Sequence, residues 1–202
     1  LMFGCFTLMS WADWPVIWDS GYEDDYLEGL HCDLSGNVIA GGWHYGPNGP
    51  YTQGFWDICK FSPSGDLLWY TIFSFYFGCI LKDIDVDLAG NILAGGYGST
   101  YPGFGSTWWL VAKYGPGGNL LWNTTYISNY SWVDGIFAVS SGIWSNYHVA
   151  VGFVWETIYP FSARVLKIDG DGHIIWDRIV DARTGGIFLD VAIDQSSGNI
   201  IS

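Results

Sequence analysis

Positive charge is scarce in this 202-residue chain, which carries 7 Lys and Arg against 20 Asp and Glu. The formal net charge of −13 repels phosphate backbones, which argues against nucleic-acid binding. No apolar run approaches the roughly eighteen residues that a membrane span needs. The apolar start, Leu1 to Ser10, lacks the basic segment and cleavage site of a secretory signal. The sequence therefore predicts neither a nucleic-acid-binding protein nor a membrane span in this chain.

Recognisable catalytic and metal-binding motifs are also lacking. The four cysteines, Cys5, Cys32, Cys59 and Cys79, form no CxxC pair, and no Cys/His cluster has metal-ligand spacing. The four histidines are scattered, and there is no Gly-x-Ser-x-Gly, phosphate loop or dinucleotide fingerprint. The sequence thus predicts a protein that is not an enzyme, with no catalytic residue, no cofactor and no metal site.

Two glycosylation sequons are present, at Asn123-Thr-Thr125 and Asn129-Tyr-Ser131. Asn123 and Asn129 are therefore candidate glycosylation sites, and they favour an extracellular or cell-surface location. One or two disulfides would be natural in such a protein.

Aromatic residues and glycine are abundant. The chain contains 13 Trp, 13 Tyr, 12 Phe and 28 Gly, while only 13% of its residues are charged. Aromatic and β-branched side chains suit a pleated, half-buried surface, and glycine suits tight turns. This composition predicts an all-β fold of short strands.

A first half-motif recurs along the chain. It reads Asp33-Leu-Ser-Gly-Asn-Val-Ile-Ala-Gly-Gly42 in one copy and Asp87-Leu-Ala-Gly-Asn-Ile-Leu-Ala-Gly-Gly96 in the next. A degenerate copy lies around Ser145 to Gly152, and a shorter copy occupies Asp194 to Ser202. Each copy resembles a hairpin, with a Gly-containing turn between two apolar-alternating runs.

A second half-motif alternates with the first and ends in two aliphatic residues and a Trp. Its strong copies run from Lys60 to Trp69, from Lys113 to Trp122 and from Lys167 to Trp176, and a weaker copy ends at Trp18. Successive tryptophans are 51, 53 and 54 positions apart. Two hairpins per period predict a unit of four antiparallel strands.

Four-stranded units of this length can bury both faces when they are arranged radially, as the blades of a β-propeller. In that arrangement the four motif tryptophans, Trp18, Trp69, Trp122 and Trp176, are predicted to lie across the joints between neighbouring sheets and bury a large apolar area. The fold class predicted is therefore an all-β β-propeller of four-stranded antiparallel blades.

The Gly-x-x-x-Trp hairpins resemble the tryptophan-docking repeats of quinoprotein-like propellers. Their alternation with Asp-x-x-Gly-Asn strands is similar to the propeller-repeat proteins of bacteria and archaea that are often seven-bladed. This resemblance covers nearly the whole chain and implies a fold without an activity, because propellers host binding, scaffolding and catalysis alike. Many quinoprotein relatives also carry an adjacent Cys pair, which this chain lacks.

Residues 1–202 are predicted to form a single propeller domain or a propeller segment, with repeats at about 19–69, 70–122 and 123–176 and half-repeats at 1–18 and 177–202. In one reading the terminal half-repeats share a blade and close a four-bladed ring. In the other, which the chain's end within a first-type hairpin favours, the chain is part of a larger propeller of six to eight blades, as in related proteins.

Three acidic segments are candidates for chemistry. In Asp83-Ile-Asp-Val-Asp87 the three carboxylates are expected on one strand face, where they could bind a cation or supply an acid/base pair. However, Asp33, Asp87 and Asp194 each precede a Gly-Asn turn, which favours turn capping.

Asp169-Gly-Asp-Gly-His173 has no Glu at the twelfth position of a calcium loop and is expected to be an ordinary turn. The acidic cluster Tyr22 to Tyr26 is expected to be a solvated loop.

The favoured function is a non-catalytic extracellular or cell-surface propeller that contacts protein partners or copies of itself. A first alternative is a glycan-binding propeller, because the stretches Trp43 to Gly54 and Tyr97 to Thr107 are rich in Tyr, Gly, Pro and Ser, as binding surfaces are. A second alternative is a fragment of an exported hydrolase or quinoprotein.

Overall fold

The computed structural model describes residues 25–46, 54–74, 78–99, 107–127, 134–142, 146–155, 162–181 and 186–202. Several features predicted above lie outside these residues, namely Trp18 and its hairpin, Cys5, Asn129 and Tyr22 to Asp24. No helix that is long and apolar enough to cross a membrane occurs within the described ranges.

The described residues form antiparallel strands in chain order. Sheet 1 consists of β1 (Asp25–Cys32), β2 (Val38–Tyr45), β3 (Gly54–Phe61) and β4 (Leu67–Ser74). Sheet 2 consists of β5 (Gly78–Val86), β6 (Ile92–Ser99), β7 (Thr107–Tyr114) and β8 (Leu120–Tyr126). Sheet 3 consists of β9 (Asp134–Ser141), β10 (Tyr147–Val154), β11 (Ser162–Asp169) and β12 (Ile174–Asp181), and sheet 4 pairs β13 (Ala192–Ile193) with β14 (Ile200–Ile201).

The all-β fold of four-stranded antiparallel sheets is confirmed, and these sheets are consistent with propeller blades. The repeat boundaries expected at 69, 122 and 176 fall inside β4, β8 and β12. Trp69, Trp122 and Trp176 are each the third residue of their outer strand, so the strand continues for four or five residues beyond them. The Trp therefore marks the outer strand of a sheet and not its end.

The aspartates of the first half-motif cap the turns between the first two strands of sheets 1 and 2. One carboxylate oxygen of Asp33 accepts hydrogen bonds from the amides of Ser35 and Asn37, and Asp87 does the same for Ala89 and Asn91. The turn glycines Gly36 and Gly90 both have φ of 78°, a conformation that favours glycine. The predicted turn-capping role of Asp33 and Asp87 is confirmed.

The paired glycines of the same motif serve two kinds of close approach. A Cβ at Gly42 would lie 2.0 Å from the carbonyl oxygen of Tyr26 on the adjacent strand, so only glycine fits there. A Cβ at Gly95 would lie 2.2 Å from Cγ1 of Val139, which belongs to the next sheet. The first glycine of the pair thus admits an aliphatic side chain from the following sheet.

Three apolar clusters hold successive sheets together. The first lies between sheets 1 and 2 and includes Trp56 and Leu81, the second lies between sheets 2 and 3, and the third lies between sheets 3 and 4. The first strand of each following sheet, β5 or β9, packs on the sheet before it. Every internal sheet is therefore covered on both faces, which a four-stranded sheet alone cannot achieve.

Candidate functional site

The motif tryptophans of sheets 1 and 2 lie against the next sheet. The indole nitrogen of Trp69 donates to the carbonyl of Pro116 at 3.0 Å, and that of Trp122 donates to the carbonyl of Gly170 at 2.8 Å. Both acceptors belong to the turn before the outer strand of the following sheet. The turn glycine Gly118 has a φ of 83°, and a Cβ there would lie 2.8 Å from the Trp69 ring.

The remaining motif tryptophans differ in their surroundings. Trp176 packs against the apolar cluster between sheets 3 and 4, with the Arg178 guanidinium 5.7 Å from its ring centroid. Trp18 lies outside the described residues. The turn glycines Gly118 and Gly172 have a role that the sequence did not reveal. Each makes room for the Trp of the preceding sheet and also shapes its own turn.

The lysine that opens the second half-motif pairs with the capping aspartate of its own sheet. Lys60 Nζ lies 2.8 Å from Asp33 and Lys113 Nζ lies 3.2 Å from Asp87, and all four side chains are largely buried. Burial acts to raise the pKa of Asp33, but hydrogen bonds from Asn37 and Lys60 outweigh it and lower that pKa. These pairs tie the middle of each sheet to its first turn.

Sheet 3 replaces this ion pair with a different contact. The amide of Gly142 makes the turn hydrogen bond that the Asp33 amide makes in sheet 1. Because glycine offers no carboxylate, Lys167 instead places its Nζ 3.7 Å from the centroid of the Tyr147 ring. The recurrent lysine keeps a partner in each of the three sheets.

Asp83 and Asp85 on β5 bond to the next sheet. Oδ2 of Asp83 accepts from the Val139 amide at 2.9 Å, and Oδ2 of Asp85 accepts from the Ser141 amide at 2.6 Å. Their Oδ1 atoms accept from the amides of the residues that follow them in β5. The three carboxylates do not act as one group, because Asp87 lies in the turn and pairs with Lys113.

Two titratable side chains on the first strands of sheets 1 and 2, His31 and Asp83, have raised pKa values. Burial raises the pKa of Asp83 to about 7, with the charges of Asp85 and Asp190 adding to it and the hydrogen bond from Val139 opposing it. His31 Nε2 lies 3.1 Å from Asp85, and this hydrogen bond raises the pKa of His31. A chain of contacts thus runs from β1 through β5 to β9.

The exposed turn Asp169 to His173 brings together the candidate ligand atoms of Asp169, Asp171 and His173, all within 4.8 Å of one another. Asp169 caps its own turn, since its Oδ1 accepts from the amides of Asp171 and His173 at 3.0 and 2.8 Å. This is the hydrogen-bond pattern of Asp33 in sheet 1. The turn needs no cation to explain its conformation.

A β-bulge recurs near the start of the first strand of sheets 1, 2 and 3 and leaves Glu28, Lys82 and Phe137 unpaired in the register. Glu28 Oε1 accepts from Lys82 Nζ at 2.7 Å and from Trp43 Nε1 at 3.0 Å. Phe137 stacks on Phe153 with ring centroids 5.4 Å apart. Sequence reasoning missed these residues because the three side chains share no chemistry.

The bulge residues Lys82 and Phe137 face a cavity of about 360 Å³, whose other lining residues are Tyr45, Ile80, Tyr97, Thr107, Asp134 and Phe153. Tyr45, Tyr97 and Thr107 belong to the two Tyr- and Gly-rich stretches predicted above as binding surfaces. Burial raises the pKa of Tyr97 to about 12, so its phenol stays protonated as a hydrogen-bond donor. Aromatic faces with a few polar groups are typical of a site for a small polar ligand with an apolar face.

The outer strands present a repeated apolar surface, defined here as the outer-strand pairs. Each pair immediately precedes a motif Trp and is 38% to 52% exposed, namely Leu67 and Leu68, Leu120 and Leu121, and Ile174 and Ile175. Large apolar residues that repeat on successive edge strands are a feature of interaction surfaces.

Sheet 1 also exposes apolar residues on its first strand. Leu27 and Leu30 are 56% and 63% exposed, whereas their counterparts in sheet 2, Leu81 and Ile84, are 0% and 4% exposed because they pack on sheet 1. This part of sheet 1 offers the same kind of apolar surface that joins the other sheets.

The candidate modification and disulfide residues are placed as follows. Asn123 lies on the outer strand β8 with its side chain exposed, and Asn129 lies outside the described residues. No disulfide joins Cys32, Cys59 and Cys79 to one another. Burial raises the pKa of the Cys59 thiol to about 12, with the Asp57 charge adding to it, so Cys59 behaves as a small apolar core residue.

Comparisons with known proteins show no match to a protein-family model and none to a curated protein sequence. Among solved structures, a tryptophan-to-alanine mutant of the apocarotenoid oxygenase from Synechocystis is 8% identical with a TM-score of 0.48; the match covers 78% of this chain and 40% of that one. A protein of unknown function from Bacteroides caccae is 12% identical with a TM-score of 0.33. The match covers 82% of this chain and 71% of the Bacteroides chain. This chain thus spans less than half the length of the oxygenase.

Proposed function

We propose that this chain is a non-catalytic β-propeller module, similar to the tryptophan-docking propellers, that acts outside the cell or at its surface through contacts with other proteins, including its own copies. The observation that carries the proposal is the repetition of the outer-strand pairs on β4, β8 and β12. Covering a half-exposed Leu or Ile contributes about 1 kcal/mol. Six such residues give enough apolar surface for association without a pocket.

Two further observations support this function over catalysis. Asp83 and Asp85, the carboxylates first considered as an acid/base pair, accept amide hydrogen bonds that join β5 to β9. The remaining acidic motif residues cap turns or pair with lysines. The exposed side chain of Asn123 is sterically open to glycosylation and supports an extracellular location.

The proposal is tested by replacing all six outer-strand pair residues with Thr and measuring self-association by sedimentation equilibrium. We expect the six-fold variant to lose association while its thermal unfolding remains close to that of the parent protein. The matched control replaces Leu34 and Leu88, which are exposed on turns, with Thr and keeps association. Equal association of parent and six-fold variant contradicts the proposal, as does hydrolytic or quinone-dependent turnover that Asp85→Asn abolishes.

The cavity favours a second function, glycan binding. Its aromatic lining, including Tyr45, Tyr97 and Phe137, can stack on the apolar face of a sugar, and Lys82, which Glu28 holds in place, can donate to hydroxyl groups. A broad glycan panel tests this alternative. We expect a binding signal that Phe137→Ala weakens at least tenfold while the six-fold outer-strand variant retains it; no signal on any glycan refutes it.

A further inference from the structure

The three outer strands differ in what protects their open edges. Within the described part of the chain, β4, β8 and β12 are each the last strand of their sheet, with no strand paired to their outer side. Natural proteins block such edges with charged side chains, prolines or β-bulges, or cover them, because an open edge is a template for pairing with another chain.

Two of the edges carry protection. β12 contains Asp177 and Arg178, whose charges disfavour close approach of a second strand. β8 has no charged residue, but the sequon residue Asn123 lies exposed in its middle, where an attached glycan would cover the edge.

The edge of β4 carries no charged or glycosylated side chain, and its β-bulge at Leu68 does not set it apart, because Leu121 of β8 and Ile175 of β12 occupy the same bulge position. Its eight residues, Leu67 to Ser74, include no charged residue, no proline and no sequon. Leu68, Tyr70 and Ile72 alternate along one face of the strand, and all three are exposed. The Tyr70 hydroxyl donates to Asp57 Oδ1 at 2.5 Å, which holds the ring in place on the neighbouring strand.

We propose that β4 is the edge through which two copies of this chain pair, antiparallel and about a twofold axis, into a continuous eight-stranded sheet. This inference rests on the proposed function and narrows it to one strand and one partner. Each copy has a net charge of −13, so two copies repel except where they approach through an uncharged surface. β4 supplies that surface together with an open row of backbone groups.

The alternation along β4 selects the register. Residues directly opposite each other in an antiparallel pair have their side chains on the same face of the sheet. The twofold axis must therefore lie between the two copies of one residue, which then face each other. An axis at Tyr70 places Leu68 of one copy opposite Ile72 of the other, and the apolar rows overlap completely. An axis at Thr71 would place Leu68 opposite Ser74 and keep only the contacts between Tyr70 and Ile72.

The decisive variant is Ile72→Lys, because lysine at an exposed edge position blocks strand pairing. The matched control is Ile179→Lys, which changes the equivalent residue of β12, also three positions after the motif Trp and also exposed. We expect Ile72→Lys to raise the dimer dissociation constant at least tenfold, Ile179→Lys to leave it unchanged, and neither to change thermal unfolding. Higher salt should tighten the dimer, since it screens the repulsion between acidic copies.

Cross-linking tests the register independently. In the proposed dimer, a mixture of Leu68→Cys and Ile72→Cys chains forms a disulfide between copies on mild oxidation, whereas each variant alone does not, because like residues then lie far apart. A monomer at all concentrations, equal effects of the two lysine variants, or cross-linking of either variant alone would overturn the inference. If the six-fold variant loses association but Ile72→Lys does not, the inference fails while the proposed function stands.

Discussion

Removing the indole of Trp122 gives the sharpest test of how the sheets are joined. This ring donates to the carbonyl of Gly170 at 2.8 Å, packs on the turn glycine Gly172, and lies 5.7 Å from the His148 ring. Truncating a buried Trp to Ala costs about 3 to 5 kcal/mol. Because Trp122 is only partly buried, we expect Trp122→Ala to lower the free energy of unfolding by roughly 2 to 4 kcal/mol, including about 1 kcal/mol for the hydrogen bond.

The measurement is urea unfolding followed by far-ultraviolet circular dichroism, which does not depend on the fluorescence of the removed Trp. Trp122→Phe serves as the partial control, because it keeps most of the apolar contact and loses the hydrogen bond, so it should cost about 1 to 2 kcal/mol. A loss below about 0.5 kcal/mol for Trp122→Ala is the value of an ordinary surface position and would refute the docking role.

Three further predictions follow from close contacts, burial and exposure. Gly95→Ala places a Cβ 2.2 Å from Val139 and should cost more than about 2 kcal/mol in urea unfolding, whereas Gly117→Ala, with its nearest atom at 3.8 Å, should be near neutral. Because the pKa of Asp83 is raised to about 7, its contribution to stability is fully present below the unfolded-state pKa of about 4 and is lost as the pH rises through 7. Asp83→Asn should therefore remove this decrease in the free energy of unfolding, and an unchanged pH profile contradicts the prediction. Secretion through eukaryotic cells should add a glycosidase-sensitive mass that Asn123→Gln reduces, and a mass identical to that of the parent would show that this sequon is unused.

The repeat was legible from the sequence because its turns depend on local interactions. An aspartate that caps a tight turn and a glycine with positive φ act within a few residues, so Asp33 and Gly36 recur with the same spacing as Asp87 and Gly90. The strand alternation between those turns predicted the four-stranded sheets for the same reason.

The contacts between sheets were less legible. Sequence spacing gave no sign that Asp83 and Asp85 bond to amides more than fifty residues away on β9. It also assigned the turn glycine to its own hairpin, although Gly118 equally accommodates Trp69 from the preceding sheet. Such roles depend on which faces meet after folding, and no local pattern records that.

The cavity shows the same limit. Three of its lining residues, Tyr45, Tyr97 and Thr107, belong to stretches whose composition indicated a binding surface. Lys82 and Phe137 reach it only because a bulge in each first strand alters the register there. A one-residue bulge leaves almost no mark in composition or periodicity.

The motif Trp shows which features follow from the amino-acid sequence and which follow only from the tertiary structure. The amino-acid sequence by itself determined the period, the hairpins and the antiparallel sheets, because turn geometry and strand alternation are properties of neighbouring residues. Only the tertiary structure decided that each sheet packs on the next, that Trp69 and Trp122 bond across those joints, and that β4 is the outermost described strand of sheet 1. Those outcomes depend on burial between residues about fifty positions apart, where packing and not local conformation selects the partner.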